Sequence, residues 1–426
     1  MITPTQPMQT IALVDANHGR GHHLTYMRFF CKTLLELGYR TIAFYPDPDS
    51  VRDWLMPRCP QYFQNLHVFE ISEYDHCRAP LIGKIPSNLQ PLVVLARWRY
   101  TTSIIQRAVD QVGFEPDLVF FNWLDNYFSY FLTNHLVDTI FPYKWSGIYF
   151  RPGDLRFKKR ALIPHYAIAR SPRCQALTLL DEEFAQAIED KLDFPVIPFP
   201  DLADETEPDL ELDVIRQIKE KAGSRKIIGL IGSLSKRKGL LTFLKVAQES
   251  LDKDWFFVLA GPLVKSTFHQ EYDQRLADEY EKVQSILNSP PSNCFFYLKS
   301  IPDGAQFNSF INAFDILFAA YENFPYSSNI LTKAAVFRKP VIVSEGFCMA
   351  KRVQRFQFGV AIPEGNVDEC IRAIQLLYDS SVTGTCPLMF DFDGYKQLHS
   401  TERLGQIFKS MLDAPEMRKT LTISLS

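Results

Sequence analysis

Residues 319–345, AAYENFPYSSNILTKAAVFRKPVIVSE, decide how the rest of the chain is read. The apolar run Asp315-Ile316-Leu317-Phe318-Ala319-Ala320 leads into this stretch and predicts a buried strand, followed by a polar, aromatic loop over 321–328. A helix is expected over 329–337, stopped near Pro340, and Val341-Ile342-Val343 predicts the next strand. Ser327 and Ser328 fall where a helix N-cap belongs. The amides of Ser328, Asn329 and Ile330 are then expected to form an anion site at the positive end of the helix. Glu322 stands on the same loop. Amides for phosphate and a carboxylate for hydroxyls suit a nucleotide sugar; a βαβ unit whose loop merely turns is the competing reading.

Working outward, 426 residues are long for one core, so two domains are expected. A 46% hydrophobic, 22% charged chain of net charge −3 has no electrostatic footprint for nucleic acid. Its 34 phenylalanines fall mostly in apolar runs and predict core packing. The eight cysteines form no C-x-x-C pair and no ligand cluster with histidine, which fits free thiols in a reducing compartment. No signal peptide is visible, and the apolar runs fall short of the ~20 residues of a membrane span, so a cytoplasmic protein is expected.

The first strand, Ile11-Ala12-Leu13-Val14, is followed by Asp15-Ala16-Asn17-His18-Gly19-Arg20-Gly21-His22-His23 and a helix expected over 24–37. Gly19 and Gly21 let backbone approach a ligand. His18, His22 and His23 read as cleft-lining or helix-capping residues rather than metal ligands, because neighbours on a helix diverge. Further strands are expected around 118–121, 147–150 and 176–180, with polar residues such as Asn122 and Asp125 at their carboxyl ends, where open parallel sheets bind ligands. Two basic–aromatic segments, 92–100 and the run with Arg156, Lys158, Lys159 and Arg160, fit either peripheral contact with an anionic membrane surface or a solvated helix face. Phe194-Pro195-Val196-Ile197-Pro198-Phe199-Pro200 and the acidic run after it mark a linker. Alternating strands and helices then restart. The expected architecture is α/β: two Rossmann-like parallel-sheet domains facing a cleft, 1–200 and 201–426, the last helical segment being a candidate to pack back on the first.

Gly232-Ser233-Leu234-Ser235-Lys236-Arg237-Lys238-Gly239 places three cations in a glycine-bounded loop between strand and helix, a pattern suited to a diphosphate leaving group. Asp47-Pro48-Asp49 and Asp391-Phe392-Asp393 read as turn or surface residues, and no metal is implied.

The segments GSLSKRKGLLTFLKVA and YENFPYSSNILTKAAVFRKPVIVSE resemble the donor-binding half of family 4 retaining glycosyltransferases of the GT-B fold, most clearly over about residues 225–380. Gly232, Lys238 and Gly239 match that family's glycine–lysine–glycine loop, with Ser233 where the family has arginine and Lys236 or Arg237 as its substitute. Of the family's two glutamates separated by seven residues, the first corresponds to Glu322 if the loop carries three extra residues; the second falls at Lys333. The family's first-domain histidine has no counterpart near Phe120-Phe121-Asn122, and Asp125 takes its place.

The resemblance implies a metal-independent, retaining hexosyltransferase with no cofactor beyond its nucleotide-diphosphate sugar. On the donor side it places Gly232, Lys236, Lys238, Gly239, Ser327, Ser328, Asn329, Ile330 and the Lys333 position, with Glu322 and Asp125 catalytic. A glycan, lipid or small-molecule acceptor would lie near Gly19, Gly21, His22 and Asn122. A nucleotide-sugar epimerase or hydrolase, or an inactive nucleotide-binding protein of the same fold, is the alternative.

Overall fold

The computed structural model describes residues 8–17, 23–72, 90–150, 163, 165–192, 194–268, 274–383 and 389–413. The chain divides after Pro200: residues 201–399 form one unit, and the chain returns to the first unit at Ser400.

The first unit is built on strands β1 (Thr10–Val14), β2 (Arg40–Tyr45), β3 (Leu66–Glu70), β4 (Leu118–Phe121), β5 (Trp145–Ile148), β6 (Cys174–Leu179) and β7 (Val196–Pro198). They lie parallel in the order β3-β2-β1-β4-β5-β6-β7. β1, β4, β5 and β6 are buried throughout, as expected for a parallel sheet covered on both faces. One of the basic–aromatic segments lies on the helix Gln90–Val112, with one face exposed and its aromatic side turned inward. Its Val94 and Trp98 are fully buried, and Trp98 donates to Tyr127 O while meeting Phe121, Phe141 and Trp145 edge to face. Within residues 92–100, Val94 and Trp98 therefore supply core, while Leu92, Ala96 and Arg99 stay exposed. The helix Thr401–Leu412 packs within this unit, Phe408 lying against Phe30, Phe120 and Phe199.

The second unit is built on β8 (Lys226–Ile231), β9 (Trp255–Ala260), β10 (Cys294–Tyr297), β11 (Ile316–Ala319), β12 (Val341–Ser344) and β13 (Gly359–Ile362), all parallel, in the order β10-β9-β8-β11-β12-β13. Both sheets thus reverse their strand order once, between β1 and β4 and between β8 and β11. In open α/β sheets such a switch point leaves a crevice beyond the carboxyl ends of the strands.

The segment after Pro200 starts buried, at residues 201–204, and is exposed from Glu205 to Glu207. Asp201 and Asp204 are buried in the second unit. The Asp201 carbonyl accepts from Thr332 Oγ1, and Asn308 Nδ2 reaches Asp204 O and Thr206 O. The two aspartate-flanked strings have structural roles: Asp47 and Asp391 each cap a helix, accepting from the amides of Ser50 and Gly394. Among the described residues no cluster of metal-ligating side chains occurs, six cysteines are free, and no helix is long and apolar enough to cross a membrane.

His399, at the end of the second unit, is buried and accepts from the Asp201 amide through Nδ1 at 3.0 Å. Burial, with the Arg352 charge adding to it, holds this imidazole well below the usual histidine range, so it is neutral when folded. The unfolded histidine takes up a proton below about pH 6.5, so the stability it contributes is complete above that pH and is lost as pH falls towards the folded value. The expected slope is about 1.4 kcal/mol per pH unit. His399→Asn keeps an acceptor for the amide and removes the titration. Urea unfolding at a series of pH values should show a flatter acid limb for this variant by about that amount.

Candidate active site

The carboxyl edge of the second sheet brings together the two loops singled out in the sequence. The apolar strand β8 ends at Ile231, and Gly232 follows with φ +101°. A Cβ there would sit 2.7 Å from Lys238 Nζ, so the glycine leaves room for the ammonium. That ammonium donates to Ile231 O at 2.6 Å and lies 5.4 Å from the centre of the Tyr321 ring. The cationic run forms a 3-10 turn, Lys236–Lys238, closed by Gly239 in the left-handed region at φ +68°. A Cβ on Gly239 would come within 2.5 Å of Ala320 O, so this glycine permits the close approach of the two loops. The loops are then bonded directly: the Glu322 amide donates to Arg237 O at 2.7 Å, and the Arg237 guanidinium lies over Phe324 at 4.3 Å.

Glu322 is held in place by charge. Its Oε2 lies 2.9 Å from Lys236 Nζ, and the same ammonium reaches Glu279 Oε2 at 3.0 Å. Burial pulls the Lys236 pKa down, but the hydrogen bonds and charges of both glutamates outweigh it and leave it raised. Lys236 is thus a fixed cation between two carboxylates. Glu279, from the helix Gln274–Asn288, and Glu364, whose Oε1 accepts from the Asn323 amide at 2.8 Å, are site residues that sequence reasoning missed. Both arrive from distant segments and carry no local motif.

The helix after this loop runs Ile330–Val336, and its N-cap is Asn329 rather than Ser327 or Ser328. The cap is displaced because the Ser327 hydroxyl is already used: it donates to the Asp201 carboxylate and accepts from Arg352. Ser328 contributes its carbonyl, which accepts from the Leu331 amide at 3.1 Å. Lys333, also expected on the donor side, has its ammonium turned into the interior of the second unit. It is 1% exposed, and its ammonium donates to Asp204 O at 2.8 Å and Asn308 Oδ1 at 2.5 Å, with Asp303 at 3.5 Å. Burial lowers its pKa, opposed by Asp303 and Asp204. Its place corresponds to a carboxylate in the resembling family, and here it anchors the segment after Pro200.

In the first unit, Asn122 follows β4, with its side chain turned inward: it is 1% exposed, Nδ2 lies 4.0 Å from Met27 Sδ, and Oδ1 has no partner among the described residues. Asp125 accepts from the Phe150 amide at 2.9 Å, which orders the start of the chain beyond β5. Gly19, Gly21 and His22, and the basic residues Arg156, Lys158, Lys159 and Arg160, lie outside the described residues.

With this geometry in view, residues 212–385 match the model of the family described as glycosyl transferases group 1. The fold is GT-B. HepE of Anabaena, solved with UDP and glucose, is similar over 95% of this chain and 99% of its own, with a TM-score of 0.63 and 13% identity. The sucrose-phosphate synthase of Thermosynechococcus elongatus is similar over 95% and 99%, at a TM-score of 0.62 and 15% identity. WaaG, a glycosyltransferase involved in lipopolysaccharide biosynthesis, is similar over 93% and 99%, at a TM-score of 0.56 and 12% identity. No curated protein sequence matches the chain significantly. The group 1 match spans both loops described above and most of the second unit.

Proposed function

We propose that the chain transfers a hexosyl group from a nucleotide-diphosphate sugar to a hydroxyl acceptor, with retention at the anomeric carbon and without a resident metal. The observation that carries this reading is the joining of the 232–239 and 320–328 loops at the second sheet's switch point, inside the segment that matches the group 1 model. The Lys238 ammonium leaves the Ile231 carbonyl for the diphosphate, a stronger partner because it is anionic. Gly232 keeps that path open, and the backbone around Ser328, Asn329 and Ile330 flanks the same loop. Glu322, held by Lys236, accepts from hydroxyls of the sugar. The chemistry asked of these groups is electrostatic: they stabilise charge on the departing diphosphate as the glycosidic bond loosens. The acceptor, a glycan, lipid or small molecule, is assigned to the first unit near Asn122 and Asp125. The basic residues Arg156 to Arg160 are assigned to contact with the inner face of a membrane.

A thermal-shift and calorimetric screen over UDP, GDP, ADP and their sugars tests the reading: one nucleotide series binds saturably, and no response to any of them counts against it. Glu322→Gln keeps the shape and removes the charge. It is expected to slow sugar transfer about 10- to 100-fold while the nucleotide Kd stays within about threefold. A matching loss of nucleotide affinity would place Glu322 elsewhere than at the sugar. Addition of a chelator is expected to leave turnover unchanged.

A further inference from the structure

At the amino edge of the second sheet, opposite the donor loops, lies a cavity of about 120 Å³ that the sugar-transfer reading does not use. Its floor is made by the amino ends of three neighbouring strands. Lys226 opens β8, Asp315 and Ile316 stand at the start of β11, and Pro340 precedes β12. Leu377, from the helix Val367–Thr383, and Phe390 form the walls. Ile316 and Leu377 are buried, and Phe390 is half-buried. β8 runs from Lys226 to Ile231, so about 17 Å of strand separates the cavity from the donor edge.

The polar side of the cavity holds a cation that is weakly partnered. The Ile227 amide fixes the Asp315 carboxylate, donating to Oδ2 at 2.8 Å, while Oδ1 lies 3.4 Å from Lys226 Nζ. That contact is longer than a charge-assisted hydrogen bond, and the ammonium has no other partner among the described residues. Lys339, beside the lining Pro340, donates to Asn312 O at 2.8 Å. Burial lowers its pKa; Asp315 opposes this, and the charges of Lys219 and Lys226 add to it. Three ammonium groups thus act on one another around Asp315, the one acidic residue of the lining. The local surplus is about two positive charges, and a phosphate monoester carries about −1.5 to −2 at neutral pH. The apolar walls enclose a space close in size to the ~150 Å³ cavity that takes up benzene.

We propose that this cavity is a second small-molecule site, which takes a phosphate monoester whose apolar body is about one ring in size. The body lies against Ile316, Leu377 and Phe390, and the phosphate accepts from Lys226. Asp315 competes with the phosphate for that ammonium. The site lies wholly within the second unit and stands whether or not the chain transfers sugar.

The test is calorimetry on the full chain with phenyl phosphate, phenol and inorganic phosphate as probes. Phenyl phosphate is expected to bind saturably with a Kd of about 0.1–1 mM. Phenol and inorganic phosphate each offer half of the recognition and are expected to bind at least about tenfold more weakly. Lys226→Met keeps the stem of the side chain and is expected to weaken phenyl phosphate about tenfold or more. Lys226→Gln serves where the methionine variant does not fold. Asp315→Asn keeps an acceptor for the Ile227 amide, removes the competing charge and is expected to tighten the complex about 3- to 10-fold. Lys238→Met, at the donor edge, is expected to leave it unchanged. No saturable response to phenyl phosphate up to about 10 mM overturns the site. Binding within about twofold of the parent in Lys226→Met, or lost instead in Lys238→Met, places the probe elsewhere and also overturns it. Inorganic phosphate as tight as phenyl phosphate overturns the apolar body, and phenol as tight overturns the phosphate. A weaker complex in Asp315→Asn overturns the competition.

Discussion

Replacing Lys238 with methionine lowers turnover with any nucleotide-sugar donor by about 10²- to 10³-fold, the range seen when one preorganised donor to developing charge is removed. Methionine keeps the stem of the side chain, so packing beside Tyr321 and over Gly232 survives and the fold is expected to hold. The effect belongs to kcat as well as to donor affinity, because the ammonium meets a diphosphate whose charge grows as the sugar departs. Two neighbouring cations do not replace it. Lys236 is committed to Glu322 and Glu279, and Arg237 lies against Phe324. Steady-state kinetics on the parent and the variant check this, and equal kcat in the two would remove Lys238 from the reaction.

The second large effect is on stability. Lys333→Glu restores the carboxylate that the resembling family has at this position, yet it is expected to destabilise the chain by about 3–5 kcal/mol or more, or to prevent folding. The reason lies in what surrounds the ammonium. Asp204 O and Asn308 Oδ1 both accept from it, and Asp303 is 3.5 Å away. A glutamate there faces acceptors and a like charge in a site only 1% exposed. Lys333→Met removes the charge and strands Asn308 Oδ1, while Asp204 O keeps the Asn308 Nδ2 donor, and is expected to cost about 1–3 kcal/mol. Melting temperatures and urea midpoints for the two variants check the order, with the glutamate chain the weaker. A glutamate variant as stable as the parent would mean that the segment after Pro200 is held by other contacts.

Much of the fold is legible in the sequence because parallel strands buried on both faces read as short apolar runs, and because chemistry gathers where those runs end. Ile227 to Gly232 and Asp315 to Ala320 carry this signal plainly, and they become β8 and β11 at the switch point. The loops were legible for a local reason too: Gly232 and Gly239 stand where a side chain would collide with Lys238 or with Ala320. What escaped reading was set by tertiary partners. Nothing near Ser327 indicates that Asp201, 126 residues away, takes its hydroxyl and moves the helix cap to Asn329. Glu279 meets Lys236 only through packing of a distant helix. The aromatic content of 92–100 read as a surface feature because the residues it buries against, Phe121, Phe141 and Trp145, come from later strands and loops. Likewise His23 stood out as one of three neighbouring histidines, while the partner that gives it a direction is Asp15, eight residues earlier.

The central claim, that the joined loops of the second unit grip a pyrophosphate, is tested most directly by a crystal structure of the full chain with the nucleotide diphosphate that binds tightest in the screen. The account predicts the diphosphate at the carboxyl end of β8, within hydrogen-bonding distance of Lys238 Nζ and beside Gly232, with that ammonium withdrawn from the Ile231 carbonyl. A diphosphate bound elsewhere, with Lys238 still hydrogen-bonded to Ile231, would contradict it.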